Sequence, residues 1–196
     1  MTKVFTQFTM SLDGFIAGPH DDVRRLFGWY GSGDTNFAVP GTDMMFRMSR
    51  SSAEHLQREW SLIGAIVTGR RDFDVSKAWG GTPPLGVPTF IVTHRVPQEW
   101  VKEGSPFTFV TDGVESALEK ARKIAGDKNV DVGGSTIVQQ CLKAGLLDEI
   151  LIDLVPILLG AGVRLFDHLG VGPIDLEKIV VVDAPDVTHL KFRVIK

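Results

Sequence analysis

Apolar and polar positions alternate most clearly over residues 131–162, DVGGSTIVQQCLKAGLLDEILIDLVPILLGAG. Val130 and Val132 begin a β-branched run that Gly133-Gly134 stop. Ile137, Val138, Cys141, Leu142 and Gly145 then recur at helical spacing. Ser135 or Thr136 can cap that helix, while Lys143 and Gly145 suit its end. From 150 to 159 nearly every position is apolar, the pattern of a strand buried on both faces. The spacing predicts strand, paired glycines, helix, strand.

The rest of the chain carries weaker versions of the same pattern. Residues 3–17 read as a long strand with Val4, Phe5, Phe8, Phe15 and Ile16, interrupted at Ser11-Leu12-Asp13-Gly14. Residues 19–43 are irregular, and their aromatics (Phe27, Trp29, Tyr30, Phe37) suit a wall over a pocket or a contact with a second subunit. Residues 42–60 read as a helix, with a capping box at Ser51-x-x-Glu54. Ala53, Leu56 and Trp60 face inward there, and His55 faces solvent. Strands are expected at 65–67, 88–92 and 107–111, and a helix at 116–125. A terminal hairpin spans 179–182 and 187–195, where Leu190, Phe192 and Val194 alternate with Lys191 and Arg193, so that one face is buried.

Strands alternating with helices imply a mostly parallel sheet, and ligands of such sheets bind beyond the strands' C-terminal ends. Three of those ends carry Gly69-Arg70-Arg71, Thr93-His94-Arg95 and Gly133-Gly134-Ser135. Glycines followed by a helix N-terminus make a phosphate seat, although close packing alone also calls for glycine. Arginine adds planar recognition of phosphate. A dinucleotide with an extra ribose phosphate fits three such corners. Asp13 sits at the irregularity of the first strand, either aimed at a site or solvated in a turn.

Composition narrows the classes. At 196 residues a single domain over 1–196 is expected. A net charge of -3 without a Lys/Arg stripe argues against nucleic acid. The single cysteine, Cys141, excludes a disulfide framework and a thiolate zinc site. The five histidines, at 20, 55, 94, 168 and 189, show no metal-ligand spacing, so no metal is expected. MTKVFTQFTMSLDG lacks the apolar core of a signal peptide, and the run at 150–159 holds Asp153 and Pro156 and is too short for a bilayer. No membrane association and a cytoplasmic location are expected. Gly160-Ala161-Gly162 lacks the third glycine of a Rossmann fingerprint, and there is no Walker motif.

TMSLDGFIAG, VTGRRDFD, FIVTHR, VDVGGSTIVQQCLKAGLLDEI and LVPILLGAGVRLF, in that order, resemble the dihydrofolate-reductase-like superfamily. Within it they look most like the reductase domain of the riboflavin-biosynthesis deaminase/reductase and its stand-alone relatives. The resemblance implies an α/β three-layer fold with a mostly parallel central sheet, flanking helices and a C-terminal antiparallel hairpin. It implies NADPH as cofactor, with Gly69, Arg70 and Arg71 near the adenosine end. Thr93 and Arg95 would take the 2′-phosphate, and Gly133, Gly134, Ser135 and Thr136 the pyrophosphate. It places Asp13 and Gly14 beside nicotinamide and substrate, and implies a homodimer. With a single cysteine, the zinc-deaminase half of the bifunctional relatives is not expected here.

Two positions depart from the family pattern. Asp72 stands where threonine is common, and its carboxylate is expected to point away from the pyrophosphate. Asp153 stands where stand-alone relatives carry His or Gln. A carboxyl in an apolar strand is a proton donor, a substrate anchor or a hydrogen-bonded structural group. The expected activity is NADPH-dependent reduction of a small heterocyclic or carbonyl substrate, with Asp13 or Asp153 as the acid. A phosphorylated substrate would need a second basic site, for which Arg24, Arg25, Arg47, Arg50 and Arg164 are candidates. Dihydrofolate reductase, with Asp43 as its acid, and a non-catalytic NADPH-binding sensor or partner module are the alternatives.

Overall fold

Val4, Thr6, Phe8 and Met10 point to one side of the first strand and Phe5, Gln7, Thr9 and Ser11 to the other. The fold gives each set a different layer. The structure, a computed structural model, describes residues 2–101, 103–167 and 169–196; His168 lies outside them. The elements are β1 (Val4–Ser11), β2 (Phe15–Ala17), β3 (Thr35–Ala38), β4 (Met45–Met48), α1 (Arg50–Ser61), β5 (Ile63–Gly69), α2 (Arg70–Val75), β6 (Thr89–Val92) and β7 (Phe107–Val110). They continue as α3 (Val114–Ala125), β8 (Asn129–Val132), α4 (Ser135–Lys143), β9 (Glu149–Val155), β10 (Val163–Arg164), β11 (Leu176–Ala184) and β12 (Val187–Val194).

Eight strands form one sheet in the order β11-β12-β9-β1-β8-β5-β6-β7. From β9 to β7 every neighbour is parallel, and β12 and β11 close the edge as an antiparallel hairpin. α3 and α4 cover one face, burying Ala117, Leu118, Ala121, Ile137, Val138 and Cys141 against Val4, Val67, Val130 and Ile150. α1 and α2 cover the other, with Leu56 and Ala53 beside Trp29 and Val187, and Phe73 against Ile91 and Phe107. That is the three-layer α/β arrangement expected. Among the described residues no helix is long and apolar enough to cross a membrane.

Several boundaries differ from the sequence reading. Residues 45–48 form β4, paired with β3, and the helix begins only at Arg50. Ser49 caps it by accepting from the Ser52 N–H, so the Ser51 capping box is not formed. The helical preference of methionine is overridden there by pairing with a neighbouring strand. β9 ends at Val155, one residue before Pro156, as a residue without an N–H requires. The N-cap of α4 is Gly134 at φ 77°, and Ser135 is already helical. His55 is 2% exposed, not solvated. Lys191 does not face solvent either, because α1 covers that side of β12 and its ammonium bonds Glu59 at 2.8 Å and Glu149 at 3.0 Å.

The strand that begins the chain does break at Asp13-Gly14. β2 leaves the main sheet and pairs with β10. The two segments approach so closely at Gly162 that a Cβ there would lie 2.0 Å from the Ala17 carbonyl oxygen.

Leu118→Ala removes a side chain that is 1% exposed and sits between α3 and the sheet. It should lower the unfolding free energy by about 2–5 kcal/mol, read from a urea transition. A loss under about 1 kcal/mol would show that α3 is not packed as described.

Candidate active site

A cleft of about 1600 Å³ opens on the α1 and α2 side of the sheet. β1 and β9 supply its back wall through Gln7, Thr9 and Asp153. α2 and the segment after it form one side, and Gly133–Thr136 lies at one end. The aromatic segment forms the cover. Phe27 and Tyr30 line the cleft, and Tyr30 stacks on Phe46 at 4.3 Å. Trp29 is instead buried edge-on against His189. Six described non-glycine residues have positive φ, and five of them (His20, Asp21, Lys77, Trp79, Leu85) line this cleft. Backbone strain of this kind gathers at functional sites, which makes this cleft the candidate.

At the glycine end, Gly69, Gly133 and Gly134 come together because β5 and β8 are parallel neighbours that end side by side. Gly134 at φ 77° turns the chain into α4, whose first turn has no side-chain cap. A Cβ on Gly133 would meet Thr68 Oγ1 at 3.0 Å and Asp72 Oδ2 at 3.3 Å. Packing against these side chains therefore requires glycine at 133, and the bare backbone beside a helix N-terminus is also what a pyrophosphate would need. Asp72 corrects the expectation made for it. Its carboxyl points toward the glycines, taking a 2.7 Å hydrogen bond from Thr68 Oγ1, and burial pushes its pKa up. Two residues before Gly133, Asp131 also faces the cleft, and its Oδ1 is buried with no hydrogen-bond partner. Burial first, and the Asp72 charge second, raise it to about 7 against the backbone N–H bonds of Val132 and Gln7.

The back wall is a polar row on three adjacent strands. Thr9, Asp153 and His189 stand in register across β1, β9 and β12. Asp153 Oδ2 accepts from Gln7 Nε2 at 3.0 Å, and Gln7 Oε1 accepts from Trp60 Nε1 at 3.1 Å. Asp153 Oδ1 lies 2.6 Å from His189 Nδ1, and both residues are at most 1% exposed. His55 stacks beside His189 at 4.5 Å with its Nδ1 unpartnered, and burial pushes its pKa down. His55, Asp153 and His189 thus form a cluster with ligand atoms within 4.8 Å of one another. Sequence spacing could not show it, since the three come from a helix and two strands. Both nitrogens of His189 already make hydrogen bonds.

The expected site residues divide into two groups. Gly69, Arg71, Gly133, Gly134, Ser135, Thr136 and Asp153 line the cleft. Arg70, Thr93, Arg95 and Asp13 are not among its lining residues. Arg70 bonds Asp74 and the Arg95 carbonyl, and Thr93 Oγ1 bonds the backbone of Arg95. Asp13 ties down the loop after β9, accepting from Ser11 Oγ at 2.6 Å and from the N–H groups of Leu159 and Gly160. Those bonds, the Ser11 one foremost, hold its carboxyl down at about 2, so it carries no proton at neutral pH. None of Arg24, Arg25, Arg47, Arg50 and Arg164 lines the cleft. Its charged lining is Asp21, Asp43, Asp72, Asp74, Asp131 and Asp153 against Arg71 and Lys77, and Arg71 is paired with Asp21 at 2.8 Å. Sequence reasoning missed Asp131, although its position directly before Val132-Gly133 on a buried strand was the available signal.

Residues 2–188 match the family described as the RibD C-terminal domain. The chain belongs to that family. Among solved structures, a protein of Shewanella sp. PV-4 provisionally assigned to riboflavin biosynthesis superposes over 100% of both chains with a TM-score of 0.73 at 22% identity. The diaminohydroxyphosphoribosylaminopyrimidine deaminase/5-amino-6-(5-phosphoribosylamino)uracil reductase of Thermotoga maritima covers 99% of this chain and 57% of its own, with a TM-score of 0.65 and 12% identity. Dihydrofolate reductase of Enterococcus faecalis, complexed with NADP(H) and RAB-propyl, covers 99% and 97% with a TM-score of 0.58 and 14% identity. The fold is dihydrofolate-reductase-like.

Asp131 binds a proton more tightly in the folded chain than in the unfolded one, where its reference value is 3.8. The native state therefore holds the extra proton between about pH 4 and 7, and stability falls as pH rises through that window. Asp131→Asn should remove this slope and raise stability at pH 8 by about 1–3 kcal/mol in urea unfolding. An unchanged slope would show that the carboxyl is not desolvated.

Proposed function

We propose that the chain is an NADPH-dependent oxidoreductase that reduces a small heterocyclic or carbonyl compound. The observation that carries this reading is a single cleft with a side-chain-free glycine cradle at one end and a hydrogen-bonded carboxyl, Asp153, on its wall. Gly69, Gly133, Gly134, Ser135 and Thr136 would hold the pyrophosphate, with Arg71 beside them. Arg70 and Arg95, joined by the hydrogen bond between them, would reach the 2′-phosphate. The bound cofactor supplies a hydride. The protein's part is to hold cofactor and substrate together, exclude water and provide a proton. A homodimer and a cytoplasmic setting accompany this reading on family resemblance.

The lining charges bear on the substrate. The reductase of riboflavin biosynthesis named among the relatives acts on a phosphoribosyl compound. Here the five arginines considered for a second phosphate lie elsewhere, and carboxyls dominate the wall. An uncharged or donor-rich heterocycle is favoured over a phosphorylated one, because an added phosphate would meet like charge.

Asp72 and Asp131 beside the cradle make cofactor binding sensitive to pH. An anion binds better when these carboxyls are protonated, so NADPH affinity measured by fluorescence should fall as pH rises above about 7. Asp131→Asn should flatten that dependence. The absence of NADPH binding at every pH would sink the proposal.

Arg95→Ala should weaken NADPH by about tenfold while leaving NADH nearly unchanged, as loss of a charge-assisted phosphate contact predicts. Equal losses for both cofactors would remove Arg95 from the 2′-phosphate site.

A further inference from the structure

Five side chains form one hydrogen-bonded series between the surface and the cleft. Ser51 Oγ lies 3.1 Å from Ser49 Oγ, and Ser49 Oγ donates to Ser52 Oγ at 3.0 Å. Ser52 Oγ is 2.9 Å from His189 Nε2, whose other nitrogen reaches Asp153 at 2.6 Å. Ser49 and Ser51 are half-buried, while Ser52, His189 and Asp153 are 1%, 0% and 1% exposed. Every member is a hydroxyl, an imidazole or a carboxyl, groups that both give and take a proton. No amide interrupts the series. It begins at the open end of α1 and finishes on the cleft wall.

The surroundings leave this route to carry protons. On α1, His55 is pushed down by burial and stays neutral, and Glu59 is bonded to Lys191. Lys191, on β12 itself, is also bonded to Glu149 from β9. β11 presents Val182 opposite His189, and β1 presents the uncharged Gln7 and Thr9. Tyr30, from the aromatic segment, is pushed up by burial and is a poor acid. Gln7 occupies Asp153 Oδ2, so Oδ1 is left to His189.

Resting on the reductase reading above, we infer that Ser49, Ser52 and His189 form a proton relay to Asp153, with His189 as its positioning residue. Reduction places a hydride, one proton with two electrons, on the carbon of a C=N or C=O bond. The π pair moves to the heteroatom, which takes a proton passed through Asp153 from His189 Nδ1. His189 Nε2 recovers one from Ser52, Ser49 and water. One reduced nicotinamide and one solvent proton are consumed for each bond reduced.

The full chain, ¹⁵N-labelled at histidine, tests the relay without a substrate. The proton shared by His189 and Asp153 should give a low-field NMR resonance that disappears in Asp153→Asn. Its exchange with water should slow by about 10²-fold in Ser52→Ala and recover in Ser52→Thr. Absence of the resonance from the wild type, or equal exchange in wild type and Ser52→Ala, overturns the relay. With any probe the wild type reduces, His189→Gln should lower kcat by about 10²-fold and abolish its pH dependence, with KM and NADPH affinity retained. A wild-type pH profile in His189→Gln overturns the inference and leaves the reductase reading intact. Failure of the wild type to bind NADPH sinks that reading, while the exchange measurement still decides the relay.

Discussion

The hydrogen bond between Asp153 and His189 ties four elements together on the cleft side of the sheet. It links β9 to β12, sets the ring that Ser52 of α1 meets, and holds the carboxyl that orients Gln7 and through it Trp60. Desolvating two such groups is costly, and the cost is offset only when every lone pair and proton finds a partner. That condition is met here for both oxygens of Asp153 and both nitrogens of His189. Such a pair adds little net stability but is intolerant of losing one member, typically by about 3–5 kcal/mol. It therefore specifies one arrangement of hairpin, helix and central strand, and the cleft inherits that arrangement.

Two opposing demands meet at the glycine end. Glycines 69, 133 and 134 and the start of α4 suit an anion, while Asp72 and Asp131 stand among them as acids with raised affinity for protons. Protonation of such a buried carboxyl relieves the conflict, because a neutral acid both donates to phosphate oxygens and imposes no repulsion. The same reasoning explains why Asp13 differs. Backbone N–H groups and Ser11 satisfy its charge, so it stays ionised and acts as a latch on the loop after β9.

Much of this was legible in the chain. The run from Val130 to Lys143 announced strand, glycine cradle and helix, because periodicity and glycine placement are local signals. The terminal hairpin was equally local. What could not be read was which polar residues meet. His55 looks solvent-exposed on a helix whose pattern is polar overall, yet α1 lies against a sheet face that is itself polar, so a histidine is buried there. Asp153 and His189 are 36 residues apart and become neighbours only through the β9–β12 register. The strand β4 was missed because its partner β3 lies inside a stretch with no periodicity of its own.

The placement of β1 has a consequence for how the chain comes to be folded. Its partners are β8 and β9, with contacts spanning 126 and 144 residues. At about 5–20 residues per second of synthesis, the strand waits roughly 7–30 s for the last of them to emerge. During that time Val4, Phe5 and Phe8 are offered to any passing strand or chaperone. High-contact-order parallel sheets also close slowly once complete. The fold thus sets a demand apart from what its cleft must hold: its first strand has to stay unpaired until its partner strands have arrived.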